Sequence, residues 1–140
     1  MVAPQETGGA PWPPMAIAIC GLLGLAAAAF VVASLVHFGV VIPLGLLTLD
    51  DPFPGAAIPE AILALVLAIG ALSVLARRPA RWRVALAAAL FAFLVTLYGL
   101  TVTVGSARTA DITYHISILV VLVVIIGLLL LPQGRRALSG

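Results

Sequence analysis

Both histidines of the chain, His37 and His115, sit at the ends of apolar stretches, each with a carboxylate in reach. Asp111 and His115 are four residues apart at the start of one stretch, so on a helix their side chains share a face. His37 closes the first stretch, and Glu60 opens the second directly after Pro59. If these helix ends adjoin, His37, Glu60, Asp111 and His115 form a mixed imidazole and carboxylate set of the kind that holds Zn, Cu or non-haem Fe. Two imidazoles can alternatively hold a haem from opposite sides. Arg108 and Tyr114 belong to the same polar group.

Every member of that group also has a plainer reason for its position. Asp111 precedes an apolar run as a helix N-cap would, and Arg108 is a ready ion-pair partner for it. Glu60 in a first helical turn favours the helix dipole. Histidine and tyrosine anchor spans at an interface, and Asp50 and Asp51 beside Pro52 fit an ordinary turn. No H-x-x-x-H spacing is present. The plainer expectation is therefore a polar belt or latch with no cofactor.

The elements that must position these residues follow from composition. Of 140 residues, 64% are hydrophobic and 9% charged, against the roughly 25% charged residues of soluble domains; the chain belongs in a lipid bilayer. Cys20 is the only cysteine, which excludes a disulfide scaffold and a paired-thiol oxidoreductase. Seven arginines, split along the chain, are too few for a nucleic-acid groove.

Four stretches, Met15 to Phe38, Ile58 to Ala76, Val84 to Val104 and Ile112 to Leu131, approach the roughly 20 residues that cross a bilayer. The expected fold is an all-α transmembrane four-helix bundle in residues 15–131, with a Pro-rich N-terminal tail at 1–14 and a C-terminal tail at 132–140. Arg77, Arg78, Arg81, Arg83, Arg135 and Arg136 fall on one side of four passes and Glu6 joins them, giving +5. Asp50, Asp51, Glu60 and Asp111 against Arg108 give −3 on the other, and the sum is the formal +2. The positive-inside rule makes the arginine side cytoplasmic, with both termini inside and a plasma-membrane location. Trp12 and Trp82 fall at the same inner interface as anchors. No carboxylate or arginine lies mid-span, which argues against a coupled exporter.

Helices in lipid associate through small residues and hydrogen bonds. Ala85, Ala89, Ala92, Thr96, Gly99 and Thr103 form such a stripe on the third span. Ala61, Ala64, Ala68 and Ala71 form one on the second, and Gly21, Gly24 and Ala28 one on the first. Ile116 to Leu131 is almost wholly Ile, Val and Leu, which predicts a lipid-exposed helix or a face for a second copy or a membrane partner subunit. The apolar segment from Gly39 to Leu49 is too greasy for a free loop and predicts an interfacial segment or a lid.

The order His37-Phe38-Gly39, Pro59-Glu60, an Arg-rich loop from Arg77 to Arg83, and Arg108 to His115 before the last span resembles small four-helix bacterial membrane proteins, broadly DoxX-like in size and layout. That resemblance implies a four-helix membrane bundle and carries over no activity or catalytic residue. Three functions follow as expectations: a noncatalytic accessory or self-associating bundle; a metal- or haem-binding redox protein or enzyme using His37 and His115; and a small-solute carrier or oligomeric pore lined by the threonines of the third span.

Overall fold

A computed structural model describes residues 11–105 and 109–139. The chain forms α1 (Pro14–His37), a hairpin of β1 (Ile42–Leu44) and β2 (Leu47–Leu49), α2 (Pro54–Leu75), α3 (Arg81–Gly105), α4 (Thr109–Leu130) and α5 (Pro132–Leu138). The first four helices have 22 to 25 residues, or about 33–37 Å at 1.5 Å per residue. Each is long and apolar enough to cross a membrane. Helices α1 to α4 pack in chain order, and α4 closes back onto α1.

Local sequence explains where these helices start and stop. Proline opens α1, α2 and α5, where its missing N–H costs nothing. After α1, Gly39 takes φ +92 and the amides of Gly39 and Val40 bond back to Val36 and Leu35, the Schellman arrangement that glycine favours. After α2 the same arrangement recurs with Arg77 at φ 50, its amide and that of Arg78 bonding to Val74 and Ser73. A non-glycine residue rarely takes this position.

The third-span stripe is the seam of the bundle: Ala85, Ala89, Ala92, Thr96 and Thr103 are buried. Thr96 and Thr103 donate to the carbonyls of Ala92 and Gly99, four residues back, as expected for self-satisfied threonines. The first-span stripe is corrected. Gly21 and Gly24 face open space within the chain, and α1 packs instead through Ala16, Ile19, Leu23, Ala26 and Phe30. On α2 the closest approach falls at Gly70, where a Cβ would stand 3.1 Å from Ala88 Cβ and 3.6 Å from Ala85 Cα. Ala64 is buried there, while Ala61 is exposed.

Helix α4 is not uniformly exposed. Ile118, Leu122, Ile125 and Leu129 are buried at helical spacing, whereas Ile116, Val120, Val123 and Val124 face outward. Both faces are branched aliphatics because lipid imposes no polar contrast. The C-terminal tail is a helix rather than a strand of loose chain. Leu138 is fully buried, and Arg81 donates to the carbonyls of Leu138 and Ala137 at 3.0 and 3.4 Å. Trp82 Nε1 donates to the Leu129 carbonyl at 2.8 Å.

Candidate metal centre at the His37 end

At the end of the bundle opposite Arg77 and Arg81, two bonds set α1 against α2. Ser34 Oγ donates to the Ala57 carbonyl at 2.8 Å, and the Phe53 amide donates to the His37 carbonyl at 3.0 Å. They bring the last residue of α1 level with Glu60. His37 Nδ1 lies 2.6 Å from Glu60 Oε2, with each side chain only 6% exposed. The Phe53 ring stands edge-on to the imidazole, centroids 6.0 Å apart.

The contact ties the ring to the carboxyl group: with Glu60 as the carboxylate Nδ1 donates, and with Glu60 as the acid its O–H donates to Nδ1. Nε2 then faces Asp111 Oδ1 at 3.8 Å, too far for a hydrogen bond. With Nδ1 protonated and the ring neutral, Nε2 keeps a lone pair on the Asp111 side. Asp51 completes the group: His37, Asp51 and Asp111 each offer a ligand atom, all within 4.8 Å of one another. Ligand atoms on a tetrahedral ion at 2.0–2.1 Å stand roughly 3.4 Å apart, so small side-chain movements suffice to close the set.

The structure thus brings His37, Glu60 and Asp111 together, as the sequence allowed, and adds Asp51, which the turn reading of Asp50-Asp51-Pro52 had set aside. Two of the plainer explanations are corrected. Helix α2 begins at Pro54, so Glu60 stands in its second turn, beyond the first-turn reach of the dipole. Helix α4 is already helical at Thr109, so Asp111 lies inside its first turn rather than capping it. Arg108 lies outside the described residues.

His115 occupies a different position. Its Nδ1 donates to the Asp111 carbonyl at 2.7 Å, and its ring edge rests on Gly99, where a Cβ would stand 2.8 Å from Nε2. Gly99 is small because an imidazole lies on it. Tyr114 packs edge-on between Phe30 and His115, at 6.1 and 5.4 Å, and its hydroxyl is buried without a hydrogen-bond partner among the described residues.

Two cavities flank the His37–Asp111 pair. One, of about 720 Å³, runs between the apolar side of α1 at Leu25, Val32 and Val36, the hairpin at Thr48 and Leu49, and Asp51 and Tyr114. The apolar loop therefore forms a hairpin whose second strand walls this groove. The other, of about 350 Å³, lies among Phe30, Phe53, Glu60, Thr96, Gly99 and His115. Glu60 Oε1, buried and without a hydrogen-bond partner among the described residues, belongs to its lining. Comparison with protein-family models, curated proteins and solved structures finds no match.

Proposed function

We propose that this multi-pass membrane protein holds a divalent transition metal, of the Zn²⁺ class, at the His37 end of its bundle. His37 Nε2, Asp51 and Asp111 are the ligands, and Glu60 orients the imidazole. The observation that carries the reading is the 2.6 Å contact of His37 Nδ1 with Glu60, which leaves Nε2 turned toward two aspartates. A carboxylate behind a metal-binding imidazole fixes its tautomer and raises its basicity. One nitrogen and two carboxylates suit a borderline cation. Three protein ligands leave a coordination position for water or a bound molecule, and the 720 Å³ groove shares Asp51 and Asp111 with the ligand set. That arrangement supports a metal that handles a molecule with an apolar part, reached from the bilayer side. The arginine bias supports a plasma membrane orientation with both termini cytoplasmic and this end outside.

A second reading, the noncatalytic bundle, is favoured by the same His37–Glu60 pair acting as a latch between α1 and α2, with His37 as an imidazolium between carboxylates. Titration of detergent-purified protein with Co²⁺ separates the two. The metal reading expects visible d–d absorption that saturates near one ion per chain and is lost in His37→Ala. A flat spectrum at all Co²⁺ concentrations up to the millimolar range, with native helix content, leaves the latch.

A further inference from the structure

The cavity of about 350 Å³ beside the proposed metal ligands is lined from α2, α3 and α4, and its polar edge is built of acceptors. Glu60 supplies the first. This residue is 4% exposed, its Oε2 is taken by His37 Nδ1, and its Oε1 is buried with no hydrogen-bond partner among the described residues. Oε1 accepts whichever partner holds the shared proton: it is either one oxygen of a carboxylate or the carbonyl of an acid whose O–H points at Nδ1.

His115 supplies the second acceptor. Its Nδ1 donates to the Asp111 backbone carbonyl, a group that can only accept, so in the neutral ring Nε2, beside Gly99 on the cavity lining, keeps a lone pair. The third comes from the backbone of α2. Pro59 stands inside that helix and has no N–H to return to the Gly55 carbonyl four residues earlier; both residues line the cavity. The rings of Phe30, Phe53 and Tyr98 form much of the remaining wall.

A buried carboxyl oxygen left unpaired bears the full desolvation cost of a polar group, so this edge calls for a donor. A hydroxyl offers one hydrogen to three acceptors, whereas a primary ammonium offers three and has no lone pair of its own to satisfy. The Glu60 carboxylate meets its charge, and the aromatic faces attract it further. No arginine lines the cavity among the described residues. The volume lies near the lower end of the roughly 300–1,000 Å³ of ligand pockets, which suits a molecule of one ring.

We infer that this cavity binds a small organic primary ammonium, its N–H groups on Glu60 Oε1, His115 Nε2 and the Gly55 carbonyl and its apolar substituent against Phe30 and Phe53. The site does not need the metal at His37, since none of the three acceptors is a proposed ligand.

The test is isothermal titration calorimetry of the full chain in mild detergent, dialysed against a chelator, with benzylamine, benzyl alcohol and benzyltrimethylammonium, each corrected for empty micelles. Dialysis keeps the outcome separate from that of the metal reading. Benzylamine is expected to saturate near one molecule per chain and to bind about tenfold or more tightly than the neutral alcohol or the trimethylated cation, which lacks N–H groups. His115→Leu, which removes one acceptor, should weaken benzylamine about tenfold, and Val95→Phe, which fills the cavity from its α3 wall, should abolish binding, with helix content unchanged in both. Should either variant fail to fold, the comparison of the three compounds on wild type decides alone. Benzyl alcohol or benzyltrimethylammonium bound as tightly as benzylamine, no saturable binding of benzylamine, or benzylamine binding unchanged in both folded variants overturns the inference.

Discussion

His37 Nδ1 and Glu60 Oε2 meet at 2.6 Å across the α1–α2 interface, both side chains buried. One residue ends a helix and the other stands in the second turn of the next, 23 positions later. The contact makes Glu60 a positioning residue: it touches no second ligand of the proposed metal, but it determines which imidazole nitrogen faces Asp51 and Asp111. Glu60→Gln keeps the size and one acceptor oxygen, and should weaken metal binding by about 10–100-fold with helix content unchanged. Glu60→Ala, which also leaves Nδ1 buried without an acceptor, should lower thermal stability as well. A metal titration beside circular dichroism separates the two effects, and equal metal affinity in wild type and Glu60→Gln would sink the positioning role.

Metal occupancy should fall as pH is lowered. The imidazole and both aspartates bind a cation only after releasing their protons, so protons and metal compete for the same lone pairs. Equilibrium dialysis against a fixed Zn²⁺ concentration between pH 8 and pH 5 should show progressive loss, reversed on return to the higher pH. A flat profile would mean that other groups hold the ion.

Gly99 and His115 form a tight pair, so a methyl group at position 99 collides with the imidazole edge. Gly99→Ala should destabilise the α3–α4 contact by about 1–3 kcal/mol, the usual range for overpacking. The double change Gly99→Ala with His115→Ala should recover most of that loss, because it removes the colliding ring. Thermal unfolding of the single and double variants in one detergent tests the pair. Additive losses would show that Gly99 matters for some reason other than His115.

The glycines of α1 and α2 should respond in opposite ways. Gly70→Leu drives a side chain into Ala88 and the α3 backbone and should split α2 from α3. Gly21→Ala meets nothing within 4 Å and should be neutral, or stabilising by up to about 1 kcal/mol from helix propensity. Gly134→Ala places its Cβ onto the Leu128 carbonyl and should detach α5 from the base of α4. Protease sensitivity of the C-terminus reports that detachment directly.

Much of this architecture was legible because the bilayer imposes a length and a charge bias that sequence records directly. Four spans, their order and the separation of Arg77 to Arg83 from His37 and Asp111 could be read from residue types alone. Packing faces were harder. Ala and Gly are abundant, and without water as a contrast the buried stripe of α4 looks the same as its lipid face. The third-span stripe was found because two threonines at helical spacing mark it, whereas Gly70, alone among alanines and leucines, carries no mark. That His37, Asp51, Glu60, Asp111 and His115 share one end followed from topology, but which of them meet did not, since that depends on how the helix ends adjoin. Asp51 was set aside because an aspartate beside a proline is fully explained by a turn, and only the course of the chain from the hairpin to α2 brings it near His37.

Metal stoichiometry, measured on detergent-purified wild type, His37→Ala and Asp51→Asn prepared together, is the most direct test of the proposed site. The account predicts about one tightly held divalent transition metal per wild-type chain after dialysis against micromolar Zn²⁺, and close to none in either variant, with all three proteins equally helical. Wild type that takes up no metal, or His37→Ala that keeps it, would contradict the account.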